Sequence, residues 1–193
     1  VKHMRLYDLN EFLRLSSTLN YNLSAASLNR YNILMFILDG AHLDADEKTD
    51  REQKGIAMEA LNYLLMAYKQ KKRRLGPMAV IHPLRSAALL SCAVKGVDLA
   101  DLLTQLFHDI LEDIRSTDFT IQEWKEMEQS LCALLERLPP KTEHILTRRL
   151  FYLTRLKEET YNRYVGRLLD GAAKYPEAVV VKLADRLDNT LDM

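Results

Sequence analysis

Residues 98–113 read DLADLLTQLFHDILED and contain the pattern that decides the fold. Asp98 has a side chain that suits a helix N-cap, and the leucines after it recur at helical spacing. The stretch therefore predicts a buried amphipathic helix with His108 and Asp109 in its middle. Its apolar stripe consists of Leu99, Leu102, Leu103, Leu106 and Ile110.

The same helix carries an unusual density of ionisable side chains. Glu112 and Asp113 follow the His-Asp pair by one turn. Because residues four apart share a helix face, His108 stacks with Glu112 and Asp109 with Asp113. Four such groups in a core helix would cost several kcal/mol if they were buried without partners. A bound cation removes that cost, so the sequence predicts a metal site here.

Helical signals dominate the rest of the chain, and 6 Gly and 5 Pro are too few for a turn-rich all-β fold. We predict an all-α bundle of about eight helices, with residues 41–48 as its main loop. In the first half of the chain, further helix signals are an apolar segment from Asn22 to Leu38 with a glycine cap near Gly40, a capping box over 49–52 that opens a helix through Tyr68, and a helix from Pro83 to about Gly96. In the second half, a capping box over 120–123 opens a helix toward Leu138, Pro139-Pro140 interrupts it, and helices follow over 143–153 and 158–173. Pro176 opens the last helix, in which we expect Val179, Val180, Leu183 and Leu187 to face inward.

Composition restricts the class of protein. The 193 residues suffice for one domain with a real core, and 27 basic against 27 acidic residues argue against a nucleic-acid platform. No apolar run is long enough for a membrane span, and no signal peptide opens the chain. We expect a cytoplasmic protein in which Cys92 and Cys132 are reduced core residues.

Two other parts of the chain offer metal ligands. His82 precedes the helix that Pro83 opens, although a histidine there can also simply pack beside the proline. Residues 182–189 read KLADRLDN, in which Lys182, Asp185 and Asn189 share one polar helix face. Two imidazoles and two carboxylates suit a divalent ion such as Mn, Fe or Zn.

The order His82, His108-Asp109 and Asp185 resembles the metal signature of HD-domain phosphohydrolases. The closer similarity is to the hydrolase domain of the RelA/SpoT proteins and the small alarmone hydrolases, which remove pyrophosphate from the ribose 3′ position of (p)ppGpp. Three blocks carry it: residues 108–113, residues 182–189, and Arg73 to Gly76 followed by His82-Pro83. The resemblance covers about residues 55–193, and the first 50 residues match no family we can name.

The resemblance implies an HD-type fold, a guanine-nucleotide substrate, one divalent metal ion, by analogy Mn, and a role for each residue. Glu112 and Asp113 would orient or deprotonate the attacking water, and Arg73 would stack on the guanine ring. Residues 161–164 would border the pocket. The implied metal ligands are His82, His108, Asp109 and Asp185, and the implied phosphate or nucleoside contacts are Arg74, Lys182 and Asn189.

The chain also departs from the family pattern. Pro77, Met78 and Ala79 stand where the family has an acidic residue, Pro and Tyr, and this loop borders the nucleotide. Asp188 replaces a residue that is commonly His, and we expect its side chain to face away from the metal. The basic run over residues 69–74 can also be a solvated helix end.

Two alternatives therefore remain open beside the alarmone hydrolase. The same site could act on another phosphorylated nucleotide, or the chain could be a nucleotide-sensing module with little turnover. We divide the chain into an N-terminal helical extension, residues 1–50, and an HD hydrolase domain, residues 51–193. Its first four residues resemble a cloning remnant, and its end directly after the last block suggests truncation before further domains. The oligomeric state is left open.

Overall fold

The computed structural model describes residues 9–24, 30–38, 47–69, 71–72 and 78–192, most of which are helical. The only β pairing within these ranges is an isolated bridge between Lys72 and Met78. The all-α prediction is therefore confirmed. The α-helices are α1 Leu9–Ser24, α2 Arg30–Leu38, α3 Glu47–Ala67, α4 Ile81–Ala93, α5 Leu99–Phe107, α6 Ile110–Asp113, α7 Ile121–Glu136, α8 Pro140–Leu153, α9 Tyr161–Ala172 and α10 Glu177–Leu191, with a short 3-10 helix at Ser116–Asp118.

The N-terminal predictions have different outcomes. The apolar segment from Asn22 to Leu38 contains the end of α1 at Ser24 and the whole of α2 from Arg30, and residues 25–29 between them lie outside the described ranges. The capping box at Thr49 is wrong, since α3 begins at Glu47 and this threonine lies inside its first turn. The predicted loop over 41–48 overlaps that turn, and Gly40 lies outside the described residues.

Two helix starts in the second half of the chain are confirmed, whereas the helices predicted from residues 143 and 158 begin at Pro140 and Tyr161. Asp98 caps α5. Its carboxylate accepts from the backbone N–H of Asp101 at 2.8 Å, and the carboxylate of Asp101 accepts from the backbone N–H of Asp98 at 3.2 Å. Thr120 and Glu123 form the same reciprocal box at the start of α7. Pro140 occupies the first turn of α8, where its missing N–H leaves no helix bond unmade.

Helix α4 runs through the centre of the bundle. Every residue from Ile81 to Ser91 is buried, because α1, α2, α5 and α10 all pack against this helix. Leu19 of α1 and Ile33 of α2 belong to the same apolar core as α4. The predicted domain boundary at residue 50 falls inside α3, and the two-part division stays a prediction.

Helix α10 is rotated about its axis relative to the prediction. Leu183 is 58% exposed, whereas Asp185 and Asp188 are buried together with Ala178, Val181 and Ala184. Small side chains allow α10 to lie close to α4, and the two carboxylates have partners inside the bundle, so the face that carries Asp185 and Asp188 is the inner one.

The prediction that Cys92 and Cys132 are core residues is also wrong: the first is half-buried and the second exposed.

Helix α9 approaches α8 closely at Gly171. A β-carbon built at this position would lie 2.5–2.8 Å from ring atoms of Tyr152, which is closer than packed atoms can come. Gly166, five residues earlier in the same helix, has open space around it. Along the described parts of the chain, no helix has the length and apolar character needed to cross a bilayer.

Candidate metal centre

Three elements bring the four predicted metal ligands together. His82 lies in the first turn of α4, and Asp185 lies on the inner face of α10. His108 and Asp109 occupy the turn between α5 and α6, so the prediction of one unbroken helix through this pair is wrong. The break lets both side chains point to one centre, because on a continuous helix adjacent residues diverge by about 100°.

The donor atoms of the four side chains all lie within 4.8 Å of one another. Nε2 of His82 is 3.2 Å from Nε2 of His108, 3.3 Å from a carboxylate oxygen of Asp109 and 3.2 Å from one of Asp185. Nε2 of His108 is 3.2 Å and 3.6 Å from the same two oxygens. Two nitrogens and two oxygens therefore surround one point.

Each imidazole is oriented by a hydrogen bond on its far nitrogen. Nδ1 of His108 lies 2.7 Å from the carbonyl oxygen of Gln105, which can only accept, so Nδ1 carries the proton. Nδ1 of His82 lies 2.6 Å from a carboxylate oxygen of Asp188. In the neutral rings both Nε2 lone pairs then face the centre, as in metal sites with a hydrogen-bonded outer shell.

The carboxylates make the centre strongly attractive to cations. Burial alone would lower the pKa of His82, but hydrogen bonds with Asp109, Asp185 and Asp188 outweigh burial and raise it to about 11. Burial likewise opposes a proton on His108, whose bonds to Asp109 and Asp185 nevertheless raise its pKa to about 9. Burial would raise the pKa of Asp109 and Asp185, yet the imidazoles hold both below the usual range.

The donor set fits a divalent metal ion. Metal–nitrogen and metal–oxygen bonds of about 2.0–2.2 Å place neighbouring ligands about 3.0–3.6 Å apart, and the His–Asp separations are 3.2–3.6 Å. The carboxylate of Asp185 lies 2.7 Å from Lys182 Nζ, and the carboxylate of Asp188 is paired with Arg85, so each of these two carboxylates also has a cationic side chain beside it. Imidazole and carboxylate together suggest a divalent transition metal.

The two predicted catalytic acids at the end of α6 have different surroundings. Asp113 lines the cavity in front of the cluster, and its Oδ2 accepts a hydrogen bond of 3.0 Å from the Tyr68 hydroxyl. Burial and the charge of Asp109 raise the pKa of Asp113. Glu112 instead accepts from the backbone N–H of Arg155 at 2.7 Å and is not among the cavity-lining residues described.

The cavity in front of the cluster has a volume of about 570 Å³. Of the predicted substrate contacts, Asn189 lines it and donates to Asp185 at 2.6 Å, while Lys182 is engaged with the same carboxylate. Arg73 and Arg74 lie outside the described residues. Tyr164, in the predicted 161–164 segment, has its ring 5.7 Å from Lys182 Nζ. The cavity is lined by Lys71, Lys72, Ala79, His82, Asp109, Asp113 and Asn189.

Several of these site residues were missed by the sequence analysis. Lys71 and Lys72 line the cavity, and their basic run was the available signal. Asp188 is not one of the four ligands, in keeping with the expectation that it faces away from the metal, but the sequence did not predict that it is fully buried and bonds to Nδ1 of His82. Its burial follows from the rotation of α10, since the inner face of this helix includes both Asp185 and Asp188.

Comparisons with known proteins find relatives that match part of this chain. No family model matches the chain, and no solved structure matches it. It is 34% identical over 120 residues to a guanosine-3′,5′-bis(diphosphate) 3′-pyrophosphohydrolase of Aquifex aeolicus, a match that covers 62% of this chain and 15% of that protein. A probable enzyme of the same name from Mycoplasma pneumoniae is 30% identical over 145 residues, 74% of this chain and 19% of that one.

The chain is a relative of the RelA/SpoT-type hydrolases. A third match, 28% identical over 126 residues, is to a GTP pyrophosphokinase of Streptomyces coelicolor and covers 65% of this chain and 13% of that protein. The chain thus spans less than a fifth of the length of these RelA/SpoT-type relatives. Its all-α architecture is consistent with an HD domain.

Proposed function

We propose that this chain is a metal-dependent phosphohydrolase that removes the 3′-pyrophosphate of (p)ppGpp, with Mn²⁺ as its metal ion. The observation that carries the proposal is the convergence of His82, His108, Asp109 and Asp185 beside a cavity that also contains Asp113 and two lysines. Two relatives are named for this reaction, which supports the choice of substrate. We further propose that residues 51–193 form the hydrolase unit.

The four ligands would hold the ion, and the side chains around them would handle water and protons. A bound divalent ion lowers the pKa of a coordinated water and clamps a phosphate oxygen. In the reaction, water oxygen bonds to the phosphorus attached to ribose O3′, the bond from that phosphorus to O3′ breaks, and O3′ leaves with a proton. Asp113 is proposed to take the proton from water, with its carboxylate held by Tyr68, and Glu112 to support the water's orientation.

The cavity also suits a substrate that carries several phosphates. Its volume of about 570 Å³ lies within the common range of ligand pockets, about 300–1,000 Å³. Lys71 and Lys72 supply positive charge at one side, and Asn189 supplies polar groups at another. We propose that these residues, with Lys182 and Arg74, contact phosphate or nucleoside, and that Arg73 stacks on guanine.

The decisive experiment is the release of pyrophosphate from ppGpp by the purified chain with added Mn²⁺, beside an Asp109→Ala variant. We expect release that requires both the ion and Asp109. If Mn²⁺ binds but ppGpp stays intact, the alarmone assignment is refuted. A panel of other phosphorylated nucleotides then tests for a different substrate, and nucleotide binding without any product indicates a sensing module.

A further inference from the structure

A second buried ion pair lies directly behind His82, on the side away from the cavity. Arg85 follows His82 by one turn of α4 and is 1% exposed, and Asp188 of α10 is completely buried. The guanidinium donates from Nε to Oδ1 of Asp188 and from Nη2 to Oδ2 at 2.9 Å. Asp188 thus links Arg85 to the imidazole Nδ1 of His82, 2.6 Å from Oδ2.

This arrangement leaves the Asp188 carboxylate no freedom to rotate. Both of its oxygens accept from Arg85, and the oxygen nearest the ring also accepts from His82. Bidentate pairing of this kind fixes geometry as well as charge. A buried carboxylate without its guanidinium would carry a large desolvation cost, so the pair must be retained or replaced as a unit.

Arg85 is in turn held by the first helix of the chain. Its Nη1 donates to the hydroxyl of Ser16 at 2.9 Å, and its guanidinium carbon lies 4.3 Å from the ring centre of Phe12. Nη2 also lies 3.0 Å from a carboxylate oxygen of Asp192. The guanidinium therefore joins α1, α4 and α10 at one point behind the metal centre.

From this geometry we propose that Asp188, clamped by Arg85, is the positioning residue that turns Nε2 of His82 toward the metal. The two imidazoles are oriented by different means. His108 bonds to the carbonyl of Gln105, three residues earlier in the chain, and needs no other element. His82 depends on a carboxylate from α10, so its orientation follows the docking of α10 and α1 against α4. The inference rests on the proposed metal site but is independent of the substrate.

An Asp188→Asn substitution tests this role at constant side-chain shape. An amide has one acceptor oxygen, whereas Arg85 and His82 present three N–H groups to the two oxygens of Asp188. If the amide oxygen faces His82, the NH₂ group opposes Nε of Arg85. If the amide turns over, its NH₂ group faces Nδ1 and favours the tautomer that has a proton on Nε2, which cannot bind metal. Either arrangement weakens the metal site.

The matched control is Asp101→Asn. Asp101 accepts a 2.8 Å bond from the buried Arg149 on α8 but contacts none of the four ligands among its described partners. Mn²⁺ affinity is measured by titration calorimetry, with the unfolding temperature of each variant as a folding check. We expect Asp188→Asn to lose about 10- to 100-fold in Mn²⁺ affinity. We expect the control to lose stability but to keep its Mn²⁺ affinity.

A measurement on the unaltered protein is independent of how the variants fold. In the protein loaded with diamagnetic Zn²⁺, the ring proton on Nδ1 of His82 should exchange slowly and couple to ¹⁵Nδ1 in NMR spectra. Rapid exchange of this proton, or equal Mn²⁺ affinity of Asp188→Asn and the unaltered protein, overturns the positioning role. If the unaltered protein binds neither ion, the metal site itself fails, which is a distinct result.

Discussion

Removal of the metal ion should lower the free energy of unfolding of this protein, by an amount that depends on the ion concentration relative to its Kd. The four donors come from α4, α10 and the turn between α5 and α6, so an ion bound to all four holds these elements together only in the folded state. A ligand bound only to the folded state at about 100 times its Kd stabilises it by about 2.7 kcal/mol. For a chain of this length each kcal/mol shifts the unfolding temperature by about 2–4 °C, which gives about 5–11 °C in total.

The assay is thermal unfolding followed by circular dichroism, with the protein first treated with chelator and then supplied with Mn²⁺. Asp109→Asn keeps the shape of the ligand but removes its charge. If its affinity falls about 100-fold, the same Mn²⁺ concentration only equals Kd, and the increment drops to about 0.4 kcal/mol, or about 1–2 °C. The Asp101→Asn control should keep the full increment. Equal responses of the unaltered protein and Asp109→Asn would refute the four-ligand site.

Three further outcomes follow from other parts of the structure. Gly171→Ala should destabilise the protein by about 1–3 kcal/mol, because its methyl group must displace an aromatic ring of α8. Gly166→Ala in the same helix has open space for its methyl group and should stabilise the protein by about 0.5–1 kcal/mol, and urea unfolding measures both changes. Lys72→Ala should raise the KM for ppGpp and leave the Mn²⁺ affinity unchanged, which steady-state kinetics and calorimetry check; an unchanged KM would remove this lysine from the substrate site. Hydrogen bonds from Arg167 lower the pKa of Glu159 to about 2, so its contribution is complete above the unfolded pKa of about 4.3 and is lost as the pH falls toward 2. Glu159→Gln should therefore be less stable than the unaltered protein at pH 7, and the difference should shrink as the pH falls through 2. A difference as large at pH 2 as at pH 7 would contradict this.

Much of the fold could be predicted from local signals. The caps at Asp98 and Thr120 and the interruption at Pro139-Pro140 are correct because each depends on residues within one helical turn. The prediction at Thr49 failed because capping-box spacing also occurs inside a helix that begins earlier in the chain. Spacing alone does not reveal whether such a box starts a helix or lies within one.

The candidate site divides in the same way. The sequence determined which residues are chemically able to bind a metal, because a His-Asp pair and later Asp in apolar surroundings need a cation to be buried at low cost. Only the tertiary structure decided that the helix breaks after Phe107, that Asp188 is buried against His82, and that Arg85 donates a hydrogen bond to α1. The last two features depend on the rotation of α10 and the docking of α1. The packing of distant helices sets both, and the spacing of apolar residues in α10 by itself predicted the wrong inner face.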